Sequence, residues 1–164
     1  MQAGNPSRNA AIAGTTGTTF GDAYRARITD GGDVRLDSGP ATLALTPIAH
    51  TAPDRELALL GMIQRARYRD GQDIADTRVL AGLLRGAGLA AAGIALVEDV
   101  PDLHAANRQR LTRAGAITHA HGLRGVPALL RVAGDTLTPI DTAQLYRDPL
   151  SLLAARFSTT GNRP

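Results

Sequence analysis

The stretch Gly122-Leu123-Arg124-Gly125-Val126-Pro127-Ala128-Leu129-Leu130-Arg131-Val132 constrains this chain more than any other. A glycine-flanked Val-Pro bond leads from a long region of helical periodicity straight into a short apolar run. Ala128 to Val132 reads as a buried strand, Ala133-Gly134-Asp135 as a turn, and Thr136 to Ile140 as a returning strand, which together predict a β-hairpin. Asp148-Pro149 then opens a last helix carrying Leu150, Leu153 and Ala154, with proline at its first position. The change of period after Gly125 predicts an α+β chain that is mainly helical.

Upstream, apolar spacing and capping residues mark a series of helices. Phe20, Tyr24 and Ile28 recur every four residues, predicting a helix from Thr18 to about Ile28 closed by Gly31-Gly32. Pro40 to Thr51 is a second candidate, bent or weakened by Pro47. In the third, Asp54 is the expected cap, Glu56 falls in the first turn, and Leu59, Met62, Ile63 and Ala66 form the core stripe. Asp76 repeats the device ahead of Leu80, Leu83, Leu84 and Ala87, and Arg85 with Gly88 closes that helix. After the apolar segment Ala90 to Val97, Pro101 opens a long helix running to about Ala120. Residues 1–17, rich in small and polar types without a period, are expected to be a disordered leader.

Composition narrows the function. With 164 residues and a 43% hydrophobic content the chain is one domain in size, and with 3% aromatics its core must rest on Leu, Ile, Val and Ala. All 18 basic residues are arginine, balanced by 15 acidic residues for a net charge of +3. Arg65, Arg67 and Arg69 are the one tight basic group. Arg65 and Arg69 share a helix face and Arg67 does not, so a solvated helix surface is expected rather than a nucleic-acid footprint. No run approaches the length of about 20 apolar residues that crosses a bilayer. The first residues hold only Ala10-Ala11-Ile12-Ala13 as an apolar segment, too short for a secretory signal, so a cytoplasmic location is expected.

His119 and His121, two apart on a helix, point about 200° from one another, and no carboxylate or cysteine nearby completes a metal site. His50 and His104 are isolated. Ser38 and Ser151 lack a recognisable nucleophile motif. The glycine pairs follow helical segments, where they cap rather than cradle phosphate. No metal, cofactor or catalytic residue is assigned.

The order of helices, Gly-Val-Pro, hairpin and terminal helix resembles the second half of the DsbA-like thiol-disulfide oxidoreductase family, nearest its protein-disulfide isomerase and FrnE-like branch. Gly71-Gln72-Asp73-Ile74-Ala75-Asp76 with Val79-Leu80 is similar to a turn in that family's inserted helical domain. Phe20-Gly21 fits the entry to the insertion, and Gly122 to Pro127 fits the approach to its cis-proline. The resemblance implies a partial thioredoxin-like fold: a helical insertion over residues 18–121, a thioredoxin-like C-terminal part over 122–157, and a tail over 158–164. It further implies a cis Val126–Pro127 bond and a substrate-facing loop at Gly125, Val126 and Pro127.

Two departures matter. The chain has no cysteine, and disulfide exchange needs a thiolate to form the mixed disulfide. Nothing before Thr18 could encode the family's first strand and Cys-x-x-Cys, so the catalytic half is expected to be missing; Ala128 also stands where a threonine is common. The expectation is a redox-inactive homologue. Two alternatives are a non-catalytic peptide-binding or scaffold module, and a glutathione-using protein of the 2-hydroxychromene-2-carboxylate isomerase type. An isolated hairpin is marginal in water and leaves an exposed edge. The expected partners are therefore an extended peptide, the missing N-terminal half, or a second copy joined at that edge, with no nucleic acid and no membrane.

Overall fold

The structure is a computed structural model that describes residues 6–29, 37–125, 128–141 and 143. The chain divides into two compact units, Met1–Leu111 and Thr112–Pro164.

The first unit is helical: α1 (Pro6–Thr16), α2 (Asp22–Thr29), α3 (Gly39–Thr51), α4 (Pro53–Tyr68), α5 (Thr77–Gly86), α6 (Ala90–Val97) and the start of α7 (Pro101–Ala120). At its centre is α3. Ala41, Leu43, Ala44, Leu45, Thr46 and Ile48 are all buried, so apolar residues cover most of the helix circumference and neighbours must pack on several sides. Helices α4, α5 and α6 supply that packing through Leu59, Ile63, Leu80, Leu84 and Leu96. Pro47 lies inside α3 without ending it. Beside it the buried Thr46 hydroxyl donates between two acceptors, the Thr42 carbonyl at 3.0 Å and Asn107 Oδ1 of α7 at 2.9 Å. A polar group at full burial is thereby satisfied.

Several expectations hold in detail. Asp76 caps α5, accepting from the Arg78 amide at 2.8 Å. The turn before it is fixed by Asp73, which accepts from the Ala75 amide at 2.9 Å, while Ile74 is buried in the core. The apolar segment after α5 is the helix α6, and Gly93 lets it approach α5 closely: a Cβ there would lie 3.0 Å from the Ala81 carbonyl oxygen. Asp99 ends α6 in the left-handed conformation, φ 55°, with its carboxylate 2.5 Å from His104 Nε2.

Other expectations are corrected. Residues 6–16 of the expected leader form α1, where proline occupies the first position and Ala10-Ala11-Ile12-Ala13 supplies strong helix formers. Asp54 is not the cap of α4. Pro53 takes the first helical position, which makes Ala52 the cap and leaves Asp54 in the first turn beside the helix dipole. Helix α2 begins at Asp22 rather than Thr18, because Gly21 is held by its own contacts, described below. Arg67 is buried rather than solvated. It stands one turn beyond Ile63 on the core stripe, and its guanidinium lies 5.8 Å from the Tyr68 ring centroid.

In the second unit, β1 (Leu129–Ala133) and β2 (Thr136–Ile140) pair antiparallel with Ala133 opposite Thr136 and Leu129 opposite Ile140. The hairpin matches the expected one, but β1 is not a buried strand. Among the described residues each strand has one neighbour, and Val132 is 69% exposed. The expected helix from Asp148 lies outside the described residues.

Candidate functional site

The proline corner follows the end of α7, which Gly122 closes as the Leu123 amide donates to the Thr118 carbonyl at 2.9 Å. Gly125 has φ 83°, a conformation that a side chain would strain, so glycine is needed where the chain turns toward the strand. Val126 and Pro127, the other two expected binding residues, lie outside the described residues, and so does the peptide bond between them.

The hairpin beyond the corner has two unlike edges. A two-residue turn makes Ala133 and Thr136 a hydrogen-bonded pair, and strict alternation then makes Leu129–Ile140 and Arg131–Thr138 bonded pairs as well. Leu130 and Val132 consequently turn their N–H and C=O groups away from β2. On β2 the outward positions are Leu137 and Pro139, and proline has no N–H to offer. Among the described residues the outer edge of β1 is therefore an uninterrupted template for another strand, and that of β2 is interrupted.

A second concave region belongs to the first unit. A groove of about 550 Å³ runs between the end of α1, the segment Gly17-Thr18-Thr19-Phe20 and one face of α4. Gly61, Gln64, Arg65 and Tyr68 line it at i, i+3, i+4 and i+7, and the Leu59, Ile63 and Ala66 stripe faces the core instead. Three aromatic rings brace the wall: Phe20 and Tyr68 have centroids 5.8 Å apart, and Tyr24 and Tyr68 5.2 Å apart, edge-on. Burial pushes the Tyr24 phenol above its usual value, the neighbouring Tyr68 adds to the rise, and Arg67 and a hydrogen bond with the Asn9 side chain oppose it.

This wall rests on two interlocked backbones. The Gly21 amide donates to the Tyr68 carbonyl at 2.9 Å, and a Cβ on Gly21 would lie 1.8 Å from the Arg69 carbonyl oxygen. Reciprocally, Gly71 at φ 65° packs on Ala23, where a Cβ would lie 2.8 Å from its backbone, and Arg27 donates to the Gly71 carbonyl at 2.5 Å. The Phe20-Gly21 and Gly71 signals thus meet in space.

Sequence reasoning placed Arg65 and Arg69 on one face but missed the groove. Its available signal was Gly61, a glycine in mid-helix that costs about 1 kcal/mol relative to alanine and calls for a reason. Among the described residues no three His, Asp or Glu side chains gather as a metal site, and no helix is long and apolar enough to cross a membrane.

No model of a known protein family matches the sequence, and no curated protein matches it. Solved structures do. The cytosolic disulfide reductase DsbM from Pseudomonas aeruginosa with GSH superimposes with a TM-score of 0.73 at 24% identity, over 95% of this chain and 78% of that one. A second DsbM structure gives 0.67 at 26% identity, covering 92% and 73%. A candidate protein disulfide isomerase from Nitrosomonas europaea gives 0.67 at 19% identity, covering 94% and 77%. Mainly helical, with a small antiparallel sheet after the helices, the chain has the α+β fold of the DsbA-like thiol-disulfide oxidoreductases in a sequence without cysteine.

Proposed function

We propose that this protein is a redox-inactive homologue of the disulfide reductases and isomerases whose fold it shares, and that it binds an extended polypeptide along the outer edge of β1. The observation that carries this reading is the asymmetry of the hairpin: among the described residues Leu130 and Val132 present backbone groups with no strand partner, whereas Pro139 removes a donor from the opposite edge. Strand addition uses such a template, with main-chain hydrogen bonds giving affinity and alternate side chains giving selectivity. Gly125, Val126 and Pro127 lead into β1 and would meet the same peptide at its end. Without a thiol the chain cannot form a mixed disulfide, so it holds its partner without exchanging electrons with it. A cytosolic location fits the similarity to DsbM.

The test has two arms. In the first, the purified protein is expected to give no insulin reduction above background, and turnover in a preparation free of other thiol proteins overturns redox inactivity. In the second, hydrogen exchange is followed on adding reduced, carboxymethylated insulin B chain. The Leu130 and Val132 amides are expected to slow at least tenfold while the Thr136 amide stays unchanged; equal exchange with and without peptide rejects edge binding. Protection that rises with protein concentration alone identifies a second copy of the chain as the occupant instead.

The GSH in the similar DsbM structure favours a second reading, in which this chain binds glutathione as an external thiol. Calorimetry with reduced glutathione separates the two.

A further inference from the structure

We infer that the groove on α4 is a binding site for a small organic monocarboxylate with an apolar body, a site independent of the hairpin edge. Its volume, about 550 Å³, falls within the range of about 300 to 1,000 Å³ typical of small-molecule sites. Phe20, Tyr68 and Ile12 make its lining mostly apolar. Gly61 keeps the floor open. A Cβ on it would meet no atom within 4 Å, so packing gives no reason for the missing side chain, while the helix bears the propensity cost. Gly82 in α5 and Gly115 in α7 are equally open, and what sets Gly61 apart is that it lines the groove.

Charge selects the class of ligand. One turn beyond Gly61, Arg65 is exposed, and among the described residues no carboxylate lies within ion-pair distance of it. Arg69, a turn further, is already matched, its Nε donating to Asp70 at 2.9 Å. Among the described residues the mouth therefore carries one positive charge without an ion-pair partner beside an apolar trough. A guanidinium fork donates two parallel hydrogen bonds to a carboxylate, and one charge calls for a monoanion. The Gln64 amide, on the same face, can donate to the same group.

The experiment uses 4-phenylbutyrate and decanoate as probes, followed by calorimetry and by NMR on the whole chain. At least one is expected to bind saturably at 1:1, with the Phe20 and Tyr68 ring signals shifting. Arg65→Gln should weaken it at least tenfold, and the neutral 4-phenylbutanamide should bind the unaltered protein at least tenfold more weakly than its acid. Gly61→Leu should abolish binding while raising or preserving the thermal midpoint, since the added side chain enters open space. Arg85→Gln, in a side chain that does not line this groove, should leave binding unchanged. Absence of saturable binding by both acids overturns the inference. Equal affinity for acid and amide, or an Arg65→Gln variant that binds as well as the unaltered protein, overturns it equally.

Discussion

The two units turn apolar residues to opposite uses. In the first, α3 is surrounded, and Ile48 and Leu80 are completely buried although the chain has scarcely any large aromatic residue to spend on the core. In the second, Leu129, Leu130 and Val132 stand in a well-registered hairpin, and none of them is buried among the described residues. Local pattern and turn chemistry suffice to draw a hairpin. Burial needs a second layer, and among the described residues only the helical unit has one.

The sharpest way to break this contrast is a truncation in the helical core. Leu80→Ala should lower unfolding free energy by about 2 to 5 kcal/mol, because the site is enclosed by α3 and α6 and cannot collapse fully; urea denaturation followed by circular dichroism measures it. A loss near zero would mean that the helical unit is packed as loosely as the hairpin. Next in size is the cap. Asp76→Ala leaves the Arg78 amide without its partner and should cost about 1 kcal/mol in the same measurement, whereas Asp54→Ala, which removes no cap, should cost less.

A smaller effect comes from Tyr24. Its phenol is raised in the folded protein, chiefly by burial, so the unfolded chain releases its proton first as pH increases. The stability associated with the neutral phenol is fully present below the unfolded value of about 10 and declines above it. Thermal midpoints should therefore fall on raising pH through that range, and Tyr24→Phe should flatten the decline. Smallest of all is Val132→Thr, expected to change stability by less than about 0.5 kcal/mol because the side chain is largely exposed. A loss above 1 kcal/mol would show that β1 is covered in solution.

What could be read from the sequence follows the same division. Helices with a complete apolar stripe and a cap, such as α5 behind Asp76 with Leu80 and Leu84, were legible because local signals and the core agree. The hairpin was legible from the turn Ala133-Gly134-Asp135 between an apolar run and a returning strand. Asp54 misled because the proline beside it, rather than its own side chain, sets the start of α4. Helix α1 was hidden because small residues carry no apolar stripe. Arg67 was hidden because a charged side chain reads as a surface residue, whereas its position one turn beyond Ile63 puts it on the buried stripe of α4. Nothing in the spacing of Arg65 and Arg69 reveals a groove, since its other walls come from α1 and Phe20, far away along the chain.

The interlock of Gly21 with Gly71 bears on how such a fold persists while its sequence drifts. Most positions here are defined by what they contribute, and a contribution can be replaced: one aliphatic residue for another in the core, one capping side chain for another at a helix start. These two glycines are defined by exclusion. At Gly21 every other residue type carries an atom where the Arg69 carbonyl already is, so no repacking nearby can make room without separating the two segments. A few positions of this kind fix which elements touch, and the apolar pattern only has to fill the frame they leave. A chain with 24% identity to DsbM superimposes on it over 95% of its own length, and constraints that act by exclusion are compatible with that much change in sequence.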